Sequence, residues 1–97
     1  MIFSGLNHYL LIKKYNKEQN ELIKYPEGKK DEIYEIPEGV TTIGKEAFKG
    51  NEHITSVTIP ESVENIGENA FDGCTNLEEI KVDENNPNYS SKDGVLF

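Results

Sequence analysis

The side chains in this sequence that could do chemistry are two histidines, one cysteine and a run of oxygen ligands. A histidine exchanges protons near neutral pH, so His8 and His53 are the first candidates for acid–base work. His8 has no identifiable partner residue nearby in the sequence. Cys74 is alone, so it forms no internal disulfide. As a nucleophile it would need a histidine held close and an electropositive setting, and Asp72-Gly73-Cys74-Thr75-Asn76 offers neither. The run Asp83-Glu84-Asn85-Asn86, with Asp93 beyond it, supplies the oxygens that Ca²⁺ takes, but not at the spacing of an EF-hand loop. A solvated turn explains it better, and no metal is expected there. Asn88-Tyr89-Ser90 matches a glycosylation sequon, a signal of little specificity. Catalysis requires convergent groups with tuned pKa values, and none converge. The expectation is a protein with no catalytic residue and no cofactor, not an enzyme.

What positions these side chains is a repeat. The segment YEIPEGVTTIGKEAFKGNEHITS from Tyr34 aligns without a gap on VTIPESVENIGENAFDGCTNLEE from Val57. Pro37 falls on Pro60, Gly44 on Gly67, Phe48 on Phe71 and Gly50 on Gly73, all at one constant interval. Ile80-Lys81-Val82 opens a third copy. Alternation of apolar and polar residues around Val57–Ile59 and Ile80–Val82 predicts half-buried strands, ended by Pro37 and Pro60, which cannot donate to a ladder. The glycines are expected at turns, where φ > 0 costs them little. Val63, Ile66, Ala70 and Phe71 must point inward, and a single coil cannot bury them; stacked coils can. Phe48 and Phe71 are therefore expected to stack, with loss of the Phe71 ring unfolding much of the chain. His53 shares its repeat position with Asn76, as a solvated loop residue does. Cys74 shares its position with Asn51 and is expected to be a small buried residue closing the coil.

The pattern Ile59-Pro60-x-Ser62-Val63-x-x-Ile66-Gly67-x-x-Ala70-Phe71-x-Gly73-Cys74-x-x-Leu77-x-x-Ile80 resembles the BspA-like, or treponemal-type, leucine-rich repeat. The resemblance covers Tyr34 to Val82. It implies a mainly β fold with little helix: a leucine-rich-repeat solenoid of 23-residue coils with short parallel strands, flanked by β-hairpin segments. By the same resemblance, residues 83–97 are the first half of a hairpin insert, and Asn16 to Pro26 read like the second half of such an insert. The chain then divides into an N-terminal hairpin or capping segment (1–33), tandem repeats (34–56, 57–79 and the start of a third at 80) and a truncated hairpin insert (83–97).

Read without the resemblance, Tyr9-Leu10-Leu11-Ile12 and Leu22-Ile23-Lys24-Tyr25 flank the polar stretch Asn16–Asn20, which predicts a hairpin. At the other end Val95-Leu96-Phe97 reads as a strand with no return strand. Folding back on Ile80–Val82, fraying, and pairing with the Leu22–Tyr25 strand of another copy all remain open, the last giving a homo-oligomer through terminal strands.

A formal charge of −8, from 18 acidic and 10 basic residues, disfavours nucleic acid and anionic membrane surfaces. No apolar run approaches the ~18 residues that span a bilayer, so membrane insertion is not expected. The first residues lack the basic and apolar stretches of a signal peptide. What remains is a surface. Glu35, Ser56, Thr58, Glu79 and Lys81 are the outward strand residues, and stacking brings them side by side as a candidate ligand-binding face. The resemblance implies a non-catalytic protein-binding or adhesion module of a secreted or cell-surface bacterial protein, with a host surface or matrix protein as the kind of ligand. A structural spacer or capping piece of a longer solenoid, with no ligand of its own, accounts for the same features.

Overall fold

The computed structural model describes residues 12–97, and among them there is no helix. Nine short strands lie in the order β1 (Lys14–Tyr15), β2 (Glu21–Lys24), β3 (Ile33–Glu35), β4 (Thr42–Ile43), β5 (Ser56–Ile59), β6 (Asn65–Ile66), β7 (Glu79–Val82), β8 (Ser91–Lys92) and β9 (Val95–Leu96). The three repeat strands pair in parallel in the order β3-β5-β7, with Tyr34 opposite Val57 and Val57 opposite Ile80. Each coil thus advances the chain by one strand spacing, as expected for a leucine-rich-repeat solenoid.

A second sheet, β1-β2-β4-β6, forms another side of the coil. It lies beyond the sequence expectation, because β4 and β6 are too short to show an alternation and each runs straight into a glycine. The hairpin around Asn16–Asn20 is present, closed by Lys14–Tyr15 against β2. Ile12 is exposed beside it, and the rest of the apolar run Tyr9–Ile12 lies outside the described residues, as does His8. The hairpin is more than a cap: β2 pairs in parallel with β4, Leu22 opposite Ile43, so residues 20–33 form an irregular first coil.

The third side has no strands. There the coils are tied by N–H groups that reach the carbonyls of the next coil. Tyr25 donates to Ala47 O at 2.7 Å and Phe48 to Ala70 O at 2.7 Å; Gly50 donates to Asp72 O at 2.9 Å. Beneath this ladder the rings form a column. Tyr25 stacks on Phe48 at 4.9 Å and Phe48 on Phe71 at 5.0 Å, with interplanar angles of 26° and 22°. Tyr34 tilts against Tyr25 at 4.9 Å from inside the β3-β5-β7 sheet. The remaining core is Leu22, Ile36, Val40, Ile43, Ala47, Ile54, Val57, Ile59, Val63 and Ala70, drawn from the strands and from the turns between them.

The glycine expectation is corrected at one of its two repeat positions. Gly50 and Gly73 do take positive φ, at 80° and 75°, but Gly44 and Gly67 do not. Gly67 serves close approach instead, since a Cβ there would collide with the Gly44–Lys45 backbone of the preceding coil. A strained backbone and a tight contact leave the same mark on a sequence.

Two buried asparagines pin the turns. Asn51 donates through its side-chain amide to Pro26 O (2.8 Å) and Lys29 O (3.1 Å) and accepts from the N–H groups of His53 (2.9 Å) and Ile54 (3.0 Å). Asn86 repeats the device, donating to Pro60 O and Val63 O and accepting from Asn88 and Tyr89 N–H. Each amide is fully used, so burial leaves no unmet polar group.

The 83–97 segment differs from the expectation of a strand without a return. The strand pair closes within it, β8 against β9, through a tight turn with Asp93 and Gly94 at φ 54° and 81°. The hairpin folds back on β7, where Gly94 O accepts the Ile80 N–H at 2.8 Å.

Phe71 is also corrected: it is half-buried, whereas Phe48 is fully buried between two rings. Truncating a wholly buried Phe costs about 3–5 kcal/mol, against a total of about 5–15 kcal/mol for a domain of this size. Phe48→Ala is expected to abolish or severely weaken cooperative urea unfolding followed by circular dichroism. Phe71→Ala is expected to retain a cooperative transition at a modestly lower midpoint. Equal losses in the two variants would show that the column does not end at Phe71.

Candidate functional site

The strands β3, β5 and β7 present two rows of outward side chains, fixed by the period of two along each strand and the register between strands. One row is Ile33, Ser56 and Glu79; the other is Glu35, Thr58 and Lys81. The five residues singled out in the sequence therefore come together on one face. Glu35 and Lys81 are exposed, while Ser56, Thr58 and Glu79 are partly covered by their neighbours. Lys81 Nζ lies 3.5 Å from Glu79 Oε1, and the Ser56 hydroxyl donates to the same oxygen at 3.5 Å. These contacts are long and solvated, so they leave the face free to exchange them for contacts with a partner.

Ile33 is an addition to that set. It lies one residue upstream of the recognisable repeat, yet it is an exposed apolar side chain in the first row. Its signal in the sequence is its position two before Glu35, the spacing that keeps residues on one side of a strand.

At the end of the strands the face runs into an open recess of about 460 Å³ lined by Pro37 and Pro60 and by Glu35, Thr58 and Lys81. Glu38 and Asp83 also line it, and with Glu61 they come together, one from each successive coil, with carboxylate oxygens within 4.8 Å of one another. This is where Asp83 falls. Its carboxylate also accepts the Asn85 N–H at 2.8 Å, while Asn86 is committed to the turn contacts above and Asp93 to the β8–β9 turn. The ligand run suggested by the sequence is thus dispersed into separate structural roles.

The remaining candidates do not join this face. His53 is exposed and borders a shallow polar recess with Lys30, Glu32, Thr55 and Asn76. Cys74 is half-buried, in contrast to the buried position expected for it, and its thiol donates to Phe48 O at 3.1 Å. Burial pushes the thiol pKa up, so the reactive thiolate is less populated than in a free cysteine. The difference in burial arises because Asn51, its predecessor, has another coil on both sides and Cys74 does not.

Under the face lie two perturbed phenols. Tyr34, against which the Lys13 ammonium sits 4.7 Å from the ring centroid, shares a hydrogen bond with the Tyr15 hydroxyl. Burial, then the Tyr15 hydrogen bond, raise the Tyr34 pKa far above its ordinary value. Burial, then the negative charge of Asp31, push Tyr25 up to about 12.

The family described as "BspA type Leucine rich repeat region (6 copies)" matches residues 28–92. No curated protein matches the chain significantly. Among solved structures, a leucine-rich cell surface protein from Faecalibacterium prausnitzii A2-165 is 32% identical with a TM-score of 0.63, over 73% of this chain and 18% of that one. The chain spans less than a fifth of the length of this structural relative.

The phenols predict an alkaline limit. A tyrosine whose folded pKa is raised contributes fully below about pH 10, where the unfolded phenol is also neutral, and its contribution is lost as pH rises toward the folded value. The melting temperature is expected to fall steeply between about pH 10 and 12. Tyr25→Phe, whose lost hydroxyl has no hydrogen-bond partner among the described residues, should melt normally at pH 8 and hold its melting temperature further into alkali. Parallel pH profiles for the variant and the wild type would contradict this.

Proposed function

Because the chain belongs to the BspA-type leucine-rich repeat family, we propose that it is a non-catalytic protein-binding module that works by adhesion at a bacterial surface, through the outward face of β3-β5-β7. The observation that carries this reading is the in-register parallel pairing, which assembles Glu35, Ser56, Thr58, Glu79 and Lys81 into two adjacent rows from three coils. A repeat fold that spaces side chains at one strand separation matches an extended polypeptide surface better than a small molecule. The description of the Faecalibacterium relative as a cell surface protein supports surface display.

The chemistry of the face favours a protein with cationic contact residues. Glu35 and Glu79 outnumber Lys81 on the sheet, and Glu38, Glu61 and Asp83 extend the negative charge along its end. Such a face steers a basic partner and loses association rate as salt rises. Ile33 offers an apolar contact beside Ser56, of the kind that contributes to affinity once desolvated. A host surface or matrix protein is the ligand class this reading names.

The test uses the whole chain immobilised and exposed to purified extracellular-matrix proteins and to whole host cells. Saturable binding to one of them is expected, weakened about tenfold or more by the paired change Ser56→Arg and Thr58→Arg at the centre of the face. Both side chains point outward, so the variant should melt near the wild-type temperature. Absence of binding to any of these surfaces would favour the spacer reading. Binding that the arginine pair leaves intact would place the contact elsewhere.

A further inference from the structure

The recess at the end of β3-β5-β7 is a groove with an apolar lining. Ile36, Pro37, Pro60 and Val82 supply that lining, drawn from three successive coils. The two prolines are rigid and bring no N–H that would need an acceptor. The groove is continuous with the outward rows of the sheet, since Glu35, Thr58 and Lys81 belong to both. A partner lying across the sheet face therefore meets the groove as well.

The apolar lining is bordered by negative charge that has no counterpart. Carboxylate oxygens of Glu38, Glu61 and Asp83 lie within 4.8 Å of one another, and none of the three residues takes part in an ion pair among the described residues. Lys81 is the cation of the lining, and its ammonium is turned to Glu79 at 3.5 Å. Asp83 accepts the Asn85 N–H through one oxygen and keeps the other. Repetition alone does not produce this arrangement. Asp83 stands one repeat interval after Pro60, where a third proline would have continued the apolar lining.

We propose that the groove receives one arginine side chain of the partner that binds the β3-β5-β7 face, its methylene stem against the prolines and its guanidinium shared among the Glu38, Glu61 and Asp83 carboxylates. This deepens the reading of that face as a protein-binding surface and rests on it. An arginine matches both parts of the groove. Its stem covers apolar surface, and its planar fork of five N–H donors bonds to more than one carboxylate at a time. Other occupants match one part only. A lysine ammonium is a compact, strongly hydrated point charge. A metal ion would leave the apolar lining uncovered. An apolar side chain would desolvate the carboxylates without pairing them. A buried arginine is also a residue on which binding energy concentrates at protein interfaces.

The test uses the two side chains as free probes. The whole chain, isotopically labelled, is titrated with n-propylguanidinium chloride, the arginine side chain alone, and with n-butylammonium chloride, the lysine side chain alone, at matched ionic strength. Saturable amide shifts are expected at Glu38, Thr58, Glu61, Val82 and Asp83, with the guanidinium bound about threefold or more tighter than the ammonium. Glu61 is exposed, so Glu61→Gln should melt like the wild type while weakening guanidinium binding about threefold or more. Glu52→Gln, an exposed carboxylate in another recess, should leave it unchanged. Shifts spread over the whole acidic surface, equal affinity for the two probes, or indifference to Glu61→Gln would overturn the proposal. The titration contains no partner protein, so its failure is distinct from a failure of the face to bind matrix proteins or cells.

Discussion

Each coil of this molecule can satisfy its inward face and its edge donors only through the coil beside it. That dependence is the constraint from which the rest follows. On the third side a coil presents N–H groups along one rim and carbonyls along the other, so Phe48 N–H needs Ala70 O and Gly50 N–H needs Asp72 O. The same geometry holds each ring against its equivalent, which is why Tyr25, Phe48 and Phe71 form a column. An interaction that is identical from one coil to the next demands identical residues at a fixed interval. The hairpin of residues 83–97 meets the same need on two sides: Gly94 O accepts the Ile80 N–H, Ser91 Oγ the Val82 N–H and the Tyr89 hydroxyl the Ile66 N–H.

This explains what the sequence revealed and what it hid. The identity between the two copies from Tyr34 to Leu77 was legible because translational repetition puts Phe48 and Phe71, or Val40 and Val63, in equivalent surroundings. The outward residues of β3, β5 and β7 were legible for the same reason, from the alternation along each strand. The first coil was not. Leu22 pairs with Ile43 at one sequence offset and Tyr25 stacks on Phe48 at another, and an offset that changes within one coil leaves no repeat to find. The β4–β6 pairing was invisible because strands so short carry no periodicity. The closure of β8 on β9 depends on the Asp93-Gly94 turn, a local signal that the repeat pattern overshadowed. Buried Asn86 read as part of a solvated turn, since its burial is decided by carbonyls of a preceding coil.

The sheet face is made by repetition, which places side chains of different coils in rows and lets their identities vary without harm to the core. Its charge and its exposed Ile33 come from positions free of packing demands. Cys74 occupies the position of a fully bonded, fully buried asparagine, yet it is half-buried and its thiol donates to Phe48 O.

The central claim is that main-chain donors on the third side are satisfied coil by coil, each by a carbonyl of the next coil. Amide hydrogen exchange measured residue by residue by NMR on the whole chain addresses it directly. The amides of Tyr25, Phe48 and Gly50 are expected to be strongly protected, as are those of Ile66, Ile80 and Val82 under the hairpin, while Asn69, Phe71 and Gly73 exchange fast. Protection of Phe71 and Gly73 equal to that of Phe48 and Gly50 would show that protection does not depend on a next coil and would contradict the account.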